Sequence, residues 1–334
     1  MGELFYKGVR LLKINTVTIG ELEQKSSRQI TEDLRRGDYS LLKSIDCDKL
    51  RKEMKKIGIA CRTILRLAEI RARRAKKQNY GDALRRSIGE ILKNGAPFEV
   101  VGKLYWPTKG VVFAFNHPTL GEIIRLIAVC ALYYPGRRYL FPVNIAWYEQ
   151  LAPVAHRMEA FGLYIVPTIT PATREKIANA TNNNTRVLEL VDKIANGFNA
   201  DYLTSAAEFV NKNDVVLVAP SATRQATIFK TRGEYLGEQE IEPKTMTYIA
   251  LGMRRHHTSH YVFVPITIIP PEKANRRLNL HKAYKIAFGR KVDAETVQKL
   301  VKNRGPRGDK FEYFFLQQIA IKAIELDAGH LIAP

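Results

Sequence analysis

Short runs that are apolar at every position recur after about residue 95, each followed by a segment with helical spacing. Val-Val-Phe-Ala-Phe at 111–115 and Val-Val-Leu-Val-Ala at 215–219 are the clearest. A strand without polar alternation needs apolar cover on both faces, which argues against a sheet with one wet side. Further strands are predicted at 98–101, 138–142, 163–167, 261–269 and 283–288. Helices are predicted at 121–134, 147–161, 182–197, 199–211, 244–255, 294–303 and 309–327. Residues 96–334 therefore read as an α/β domain, a mixed sheet flanked by helices on both faces. In such sheets ligands bind beyond the carboxyl ends of the strands. Two turns fall there, after 115 and after 219.

Residues 1–95 read instead as a small basic helical domain. From Ile57 onward, Cys61, Ile64, Leu65, Ala68, Ala72 and Ala75 form one apolar stripe at helical spacing. Arg62, Arg66, Arg73, Arg74, Lys76 and Lys77 populate the other faces. Two readings stand for that helix: a bundle helix with a solvated charged face, or an amphipathic helix lying on a membrane. A second helix is predicted over 82–93, stopped by Asn94-Gly95. Helices are also expected over 26–42 and from 48 to 56, the latter capped by Asp48.

The 334 residues carry a formal net charge of +20. Such a charge draws anionic partners: nucleic acid, acidic lipid surfaces, phosphorylated substrates or an acidic carrier protein. The charged start, MGELFYKGVRLLKIN, does not resemble a signal peptide, and Lys7 stands next to Tyr6 where a myristoylation motif calls for Ser or Thr. The best candidate span, 123–134, is far short of the roughly 20 residues that cross a bilayer, and it contains Arg125. Cys47, Cys61 and Cys130 form neither a disulfide framework nor a metal pattern, which points to a reducing, cytoplasmic compartment.

The first turn reads Asn116-His117-Pro118-Thr119-Leu120-Gly121-Glu122. A carboxylate in the first turn of the following helix could hold one ring nitrogen of His117 and leave the other to take a proton from a hydroxyl. The alternative is a turn histidine beside a glutamate that only complements the helix dipole. The second turn reads Pro220-Ser221-Ala222-Thr223-Arg224-Gln225. Small residues such as Ser221 and Thr223 let backbone amides approach a ligand, and Arg224 offers a forked donor suited to phosphate. Arg224 serves equally well as a surface ion-pair partner.

Taken in order, these blocks resemble the glycerolipid acyltransferase superfamily, which includes the glycerol-3-phosphate and lysophosphatidic acid acyltransferases. NHPTLGE is similar to the family's N-H-x-x-x-x-D motif. VAPSATR is similar to its third block, F-P-E-G-T-R, and resembles more nearly the A-P-S-G-G-R form of the soluble plastid-type glycerol-3-phosphate acyltransferases. Asn184-Thr185-Arg186 resembles the plastid-type N-T-R, and Phe263-Val264-Pro265-Ile266 the fourth block. The second block corresponds to 163–168, with Arg174 and Lys176 beyond it. A helical region ahead of the α/β domain also resembles the plastid-type enzymes. The resemblance covers roughly residues 96 to 290.

It implies a glycerol-3-phosphate acyltransferase-like fold and direct acyl transfer. His117 would be the base and Glu122 its orienting acid. Asn116 would lie at the site, and amides near Thr119 and Leu120 would face the oxyanion. Ser221, Thr223 and Arg224, with Arg174, Lys176 and Arg186, would bind the acceptor phosphate. The donor would be acyl-acyl carrier protein or acyl-coenzyme A, with no metal or bound cofactor. Transient contact with an anionic membrane, peripherally at its inner face, would suit the charge.

Three departures bear on the acceptor more than on the chemistry. Glu122 stands where the family has aspartate, Ser221 where F-P-E-G-T-R has glutamate, and Ala226 where the plastid form has a second arginine. Acylation of a lysophospholipid or another hydroxyl acceptor, or a catalytically inactive lipid-binding relative, are therefore the alternatives. A basic nucleic-acid-binding protein is a further one, though no nucleic-acid motif is present and none is expected as a partner. Arg254-Arg255-His256-His257 with His260 lacks a matching distant ligand set and reads as a polar loop rather than a metal site.

Overall fold

The computed structural model describes residues 15–74, 79–104, 108–116, 121–134, 136–219, 245–271, 282–302 and 310–326. Six helices come first: α1 (Ile19–Glu23), α2 (Ser27–Arg36), α3 (Leu41–Ser44), α4 (Asp48–Glu53), α5 (Lys55–Arg74) and α6 (Tyr80–Gly95). Local chemistry explains their starts. Thr18 with Glu21 and Ser26 with Gln29 make reciprocal capping boxes on α1 and α2. The helix expected over 26–42 stops at Gly37, which takes the left-handed conformation (φ 75°) that closes α2. Asp48 is the first helical residue of α4 rather than its cap. Cys47 holds the cap position and gives no side-chain hydrogen bond there.

The sheet follows. Its strands are β1 (Phe98–Val101), β2 (Gly110–Phe115), β3 (Tyr139–Asn144), β4 (Leu163–Thr168), β5 (Val215–Val218), β6 (Tyr261–Ile269), β7 (Tyr284–Phe288) and β8 (Val292–Asp293). The spatial order is β1-β7-β6-β2-β5-β3-β4, with β8 paired to β6. β2 to β6 are mutually parallel, and β7 and β8 run antiparallel to β6. β1 runs parallel to β7, so the sheet is mixed. Between strands lie α7 (Gly121–Tyr133), α8 (Ile145–Leu151), a 3-10 turn (Ala152–Val154), α9 (Ala155–Glu159), α10 (Pro171–Ala180), α11 (Thr185–Asn211) and α12 (Thr245–Arg255). After the sheet come α13 (Ala294–Lys302) and α14 (Lys310–Glu325). The single helix expected over 147–161 is thus interrupted by the turn containing Pro153.

Alternate residues of the central strands feed two separate apolar layers. Val111, Phe113 and Phe115 of β2 face one, packed with residues of α6, α7 and α8. Val112 and Ala114 face the other, packed with residues of α11 to α14. α11 serves both, through Val187 to Phe198 on the first and Tyr202 to Val210 on the second. A helix of 27 residues spans about 40 Å, long enough to reach from one layer to the other. A break expected near residue 198 does not occur. Gly197 stays helical, and a Cβ there would lie 2.6 Å from the Ser27 Cβ, so the glycine marks a close approach of α2.

Among the described residues, buried side chains of the helical region join those of the sheet. Leu22, Ile30, Leu34, Leu65 and Ala68 belong to the same buried cluster as Phe113 and Ile266. Glu149 on α8 fastens it. Its carboxylate accepts from the Ser40 hydroxyl (2.6 Å) and the Leu42 amide (2.8 Å) and pairs with Arg51 Nε at 3.2 Å. Burial pushes the Glu149 carboxyl up, and these donors oppose the shift. No helix among the described residues is long and apolar enough to cross a membrane.

Gly110 opens β2 where the end of α11 comes close: a Cβ there would sit 2.1 Å from the Val210 carbonyl oxygen. Gly110→Ala is expected to lower unfolding free energy by about 2 kcal/mol or more in urea titration, because backbone must move. Gly20→Ala, with nothing within 4 Å of its Cβ, is expected to be neutral or stabilising by up to ~1 kcal/mol.

Candidate functional site

β2 occupies the fourth of the seven positions along the sheet, and all six of its residues are buried. β2 ends at Phe115, Asn116 follows it, and α7 begins at Gly121. Asn116 is itself 4% exposed. Its side-chain amide donates to the Ile268 carbonyl (2.8 Å), and its side-chain oxygen accepts from the Ile268 amide (2.7 Å). The side chain therefore continues the β2–β6 ladder one step past the strand, in place of backbone. One N–H and one lone pair of the side chain are thus committed to the sheet, which anchors Asn116 at the end of β2.

Glu122 lies in the first turn of α7 and is 0% exposed. A solvated helix-start charge would be exposed, so the helix-dipole role alone does not describe it. Transfer of a carboxylate into an apolar surround costs several kcal/mol unless charge and hydrogen bonds compensate. One compensating charge is Arg125, a turn further along α7 and also 0% exposed. Burial drives the Arg125 guanidinium down from its ordinary value, and the Glu122 carboxylate works against that shift. Arg125 also donates to the carbonyls of Pro97 (2.9 Å) and Lys282 (2.8 Å). Its guanidinium lies 3.7 Å from the Tyr284 ring centroid. It thereby ties α7 to the segment before β1 and to β7. From the sequence alone Arg125 reads only as an interruption of an apolar run. The acid–arginine spacing of three on an apolar helix was the signal for a buried pair.

The other basic candidates sit on α10 and α11. Arg174 is on α10, which follows the edge strand β4, three strand spacings or about 14 Å from β2. It grips Asp192 through two hydrogen bonds, at 2.5 and 2.8 Å, and these hold the Asp192 carboxyl below its usual range. Arg186, on the first turn of α11, grips Glu23 of α1 in the same two-pronged way at 2.8 and 2.9 Å. Both guanidiniums are occupied at the surface, and Arg186 joins the helical region to α11. Lys176 is exposed on α10. At the carboxyl edge of the sheet, Asn144 ends β3, caps α8 through the Ala146 amide (3.0 Å) and donates to the Thr173 hydroxyl. The loop after β4 is so drawn toward the same end of the sheet as Asn116. His117, Thr119, Ser221, Thr223 and Arg224 lie outside the described residues.

Among the described residues, no three His, Cys, Asp or Glu side chains are gathered as a metal site would require. The structure thus buries Asn116 at the end of the central strand and Glu122 with Arg125 in the helix that follows, and it places Arg174 and Arg186 in surface ion pairs. No protein-family model matches the chain, and no curated protein matches it in sequence.

Asn116→Ala removes both bonds to Ile268 and leaves that residue's buried amide and carbonyl without their partners. It is expected to cost about 2–4 kcal/mol of stability, read by chemical denaturation. Arg174→Ala and Arg186→Ala each break an exposed pair and are expected to cost under about 1 kcal/mol.

Proposed function

We propose that the protein is an O-acyltransferase that moves a fatty acyl group from an acyl thioester to a hydroxyl of glycerol-3-phosphate or a closely similar acceptor. The observation that carries this reading is the complete burial of Glu122 at the start of α7, the helix that follows the central parallel strand. On this reading the acid, five residues after His117 in the order N-H-x-x-x-x-E, fixes the imidazole tautomer. The likeness of NHPTLGE and VAPSATR to the glycerolipid acyltransferase blocks supplies the chemistry, and the α/β architecture accommodates it. On this reading the fold is glycerol-3-phosphate acyltransferase-like, with residues 1–95 as the accompanying helical domain.

His117 takes the proton of the acceptor hydroxyl, and the resulting oxygen nucleophile attacks the thioester carbonyl. A tetrahedral oxyanion forms and collapses, the carbon–sulfur bond breaks, and the thiol leaves with the proton returned by His117. Glu122 orients the ring and stabilises its charged form, and Asn116 fixes the direction in which the turn leaves β2. Arg224 binds the acceptor phosphate as a forked donor. Acyl-acyl carrier protein and acyl-coenzyme A are both anionic, which suits a chain of charge +20. The reading places the enzyme in the cytoplasm, peripheral to the inner membrane face.

Thiol release from acyl-coenzyme A or acyl-acyl carrier protein, measured with glycerol-3-phosphate and a panel of other acceptors, tests this directly. His117→Ala is expected to lower turnover by about 10²–10⁴-fold or more while the fold survives. Glu122→Gln is expected to lower it strongly and Glu122→Asp to keep part of it. Arg224→Ala should raise the KM for the acceptor far more than that for the donor, with Arg224→Lys a poor rescue. A wild type that binds acyl thioester but releases no thiol would replace this reading with that of an inactive lipid-binding relative. Normal turnover by His117→Ala would sink the mechanism.

A further inference from the structure

The face of α5 that points away from the protein is not the solvated charged surface that a bundle helix presents. At about 100° per residue, Leu65, Ala68 and Ala72 fall on one side of the helix, and all three are buried. Ile59 and Ile70 fall on the opposite side, with Leu67 beside them, and they are 48%, 42% and 48% exposed respectively. These are three of the six large apolar side chains that stand exposed among the described residues. Arg66 and Arg73 flank the stripe on one side, Arg71 on the other, and Arg74 closes its carboxyl end. All four are exposed and make no ion pair among the described residues. The helix has one acidic residue, Glu69, and its carboxylate is held by Arg157 at 2.7 and 2.8 Å. Arg62, which the sequence placed among the solvated charges, is half-buried and donates instead to the Gln150 carbonyl at 3.1 Å.

We propose that this outward face of α5 docks the protein on an anionic lipid surface, with Ile59, Leu67 and Ile70 entering the headgroup–acyl boundary and Arg66, Arg71, Arg73 and Arg74 lying at phosphate level. The proposal stands independently of the acyl-transfer reading. An apolar stripe bordered by cations on both sides matches a planar interface, in which apolar side chains insert about 5–10 Å and guanidiniums stay among the phosphates. Ile59 and Ile70 lie about 16 Å apart along the helix, so the contact is extended rather than a point. A second copy of the chain is disfavoured as the occupant. It would set four unneutralised arginines against four others, on molecules that each carry +20.

The test is co-sedimentation of the full chain with vesicles of phosphatidylcholine alone or containing phosphatidylglycerol. The wild type is expected to bind the anionic vesicles and to lose affinity as salt shortens the screening length from about 10 Å at 0.1 M to about 3 Å at 1 M. Ile59/Leu67/Ile70→Ser should weaken binding by about tenfold or more with an unchanged circular dichroism spectrum, since all three side chains are already exposed. Arg66/Arg71/Arg73/Arg74→Gln should remove the preference for anionic vesicles. Arg254/Arg255/Lys299/Lys302→Gln, an equal charge change on α12 and α13, should leave binding within about twofold. Wild-type affinity in the serine variant, or an equal loss in the α12–α13 control, would overturn the proposal. So would binding of an acidic carrier protein, or self-association, through the same α5 residues in place of lipid. Thiol release from a short, soluble thioester should not change in the α5 variants, which separates failure of docking from failure of the catalytic reading.

Discussion

The structure depends on the burial of its central strands on both faces. Every residue of β2, β5 and β6 is buried, from Gly110, Val215 and Tyr261 onward. With no wet face, the sheet requires two helical layers, and burying each Val, Ile or Phe contributes about 1.5–3 kcal/mol toward holding them. Phe263 shows how the second layer locks: its ring lies 5.5 Å from Phe311 and 5.4 Å from Phe315 of α14. Because both faces of the described central strands are filled, the strand ends are where space for chemistry is expected. That is where the chain sets Asn116 and Glu122.

Polar groups admitted to such an interior must find partners, and those partners define the candidate site. Asn116 satisfies Ile268 and so fixes where β2 stops. Arg125 satisfies two carbonyls and stacks on Tyr284, and its charge offsets that of Glu122. The acid is thereby enclosed at the helix start with a compensating charge on the same helix, which is what the proposed orienting role asks of it. Arg174 and Arg186 illustrate the opposite case. Each is satisfied by a surface carboxylate, so neither has a free fork for a phosphate while its pair is intact.

The helical region is joined to the rest by similar means. The buried Glu149 carboxylate, the pairing of Arg157 with Glu69, and the Ser27 hydroxyl on Asp201 (2.8 Å) fasten α2 to α5 against α8, α9 and α11. With its inner face spent on that contact, α5 presents an outer face whose arginines make no ion pair among the described residues.

The sequence by itself determined the local features. All-apolar runs announced the central strands, helical spacing announced the buried stripe of α5, and a helix was legible from Ser26, because each depends on neighbours a few residues apart. The H-x-x-x-x-E spacing also put an acid at a helix start, but spacing is silent on burial. Tertiary structure decided that Glu122 is enclosed and that Asn116 reaches Ile268. It also turned Arg174 to Asp192 and Arg186 to Glu23, and it kept Gly197 inside a continuous helix under Ser27. Each of these rests on a partner that the chain brings near only when the layers close, and no periodicity in the sequence encodes which partner that is.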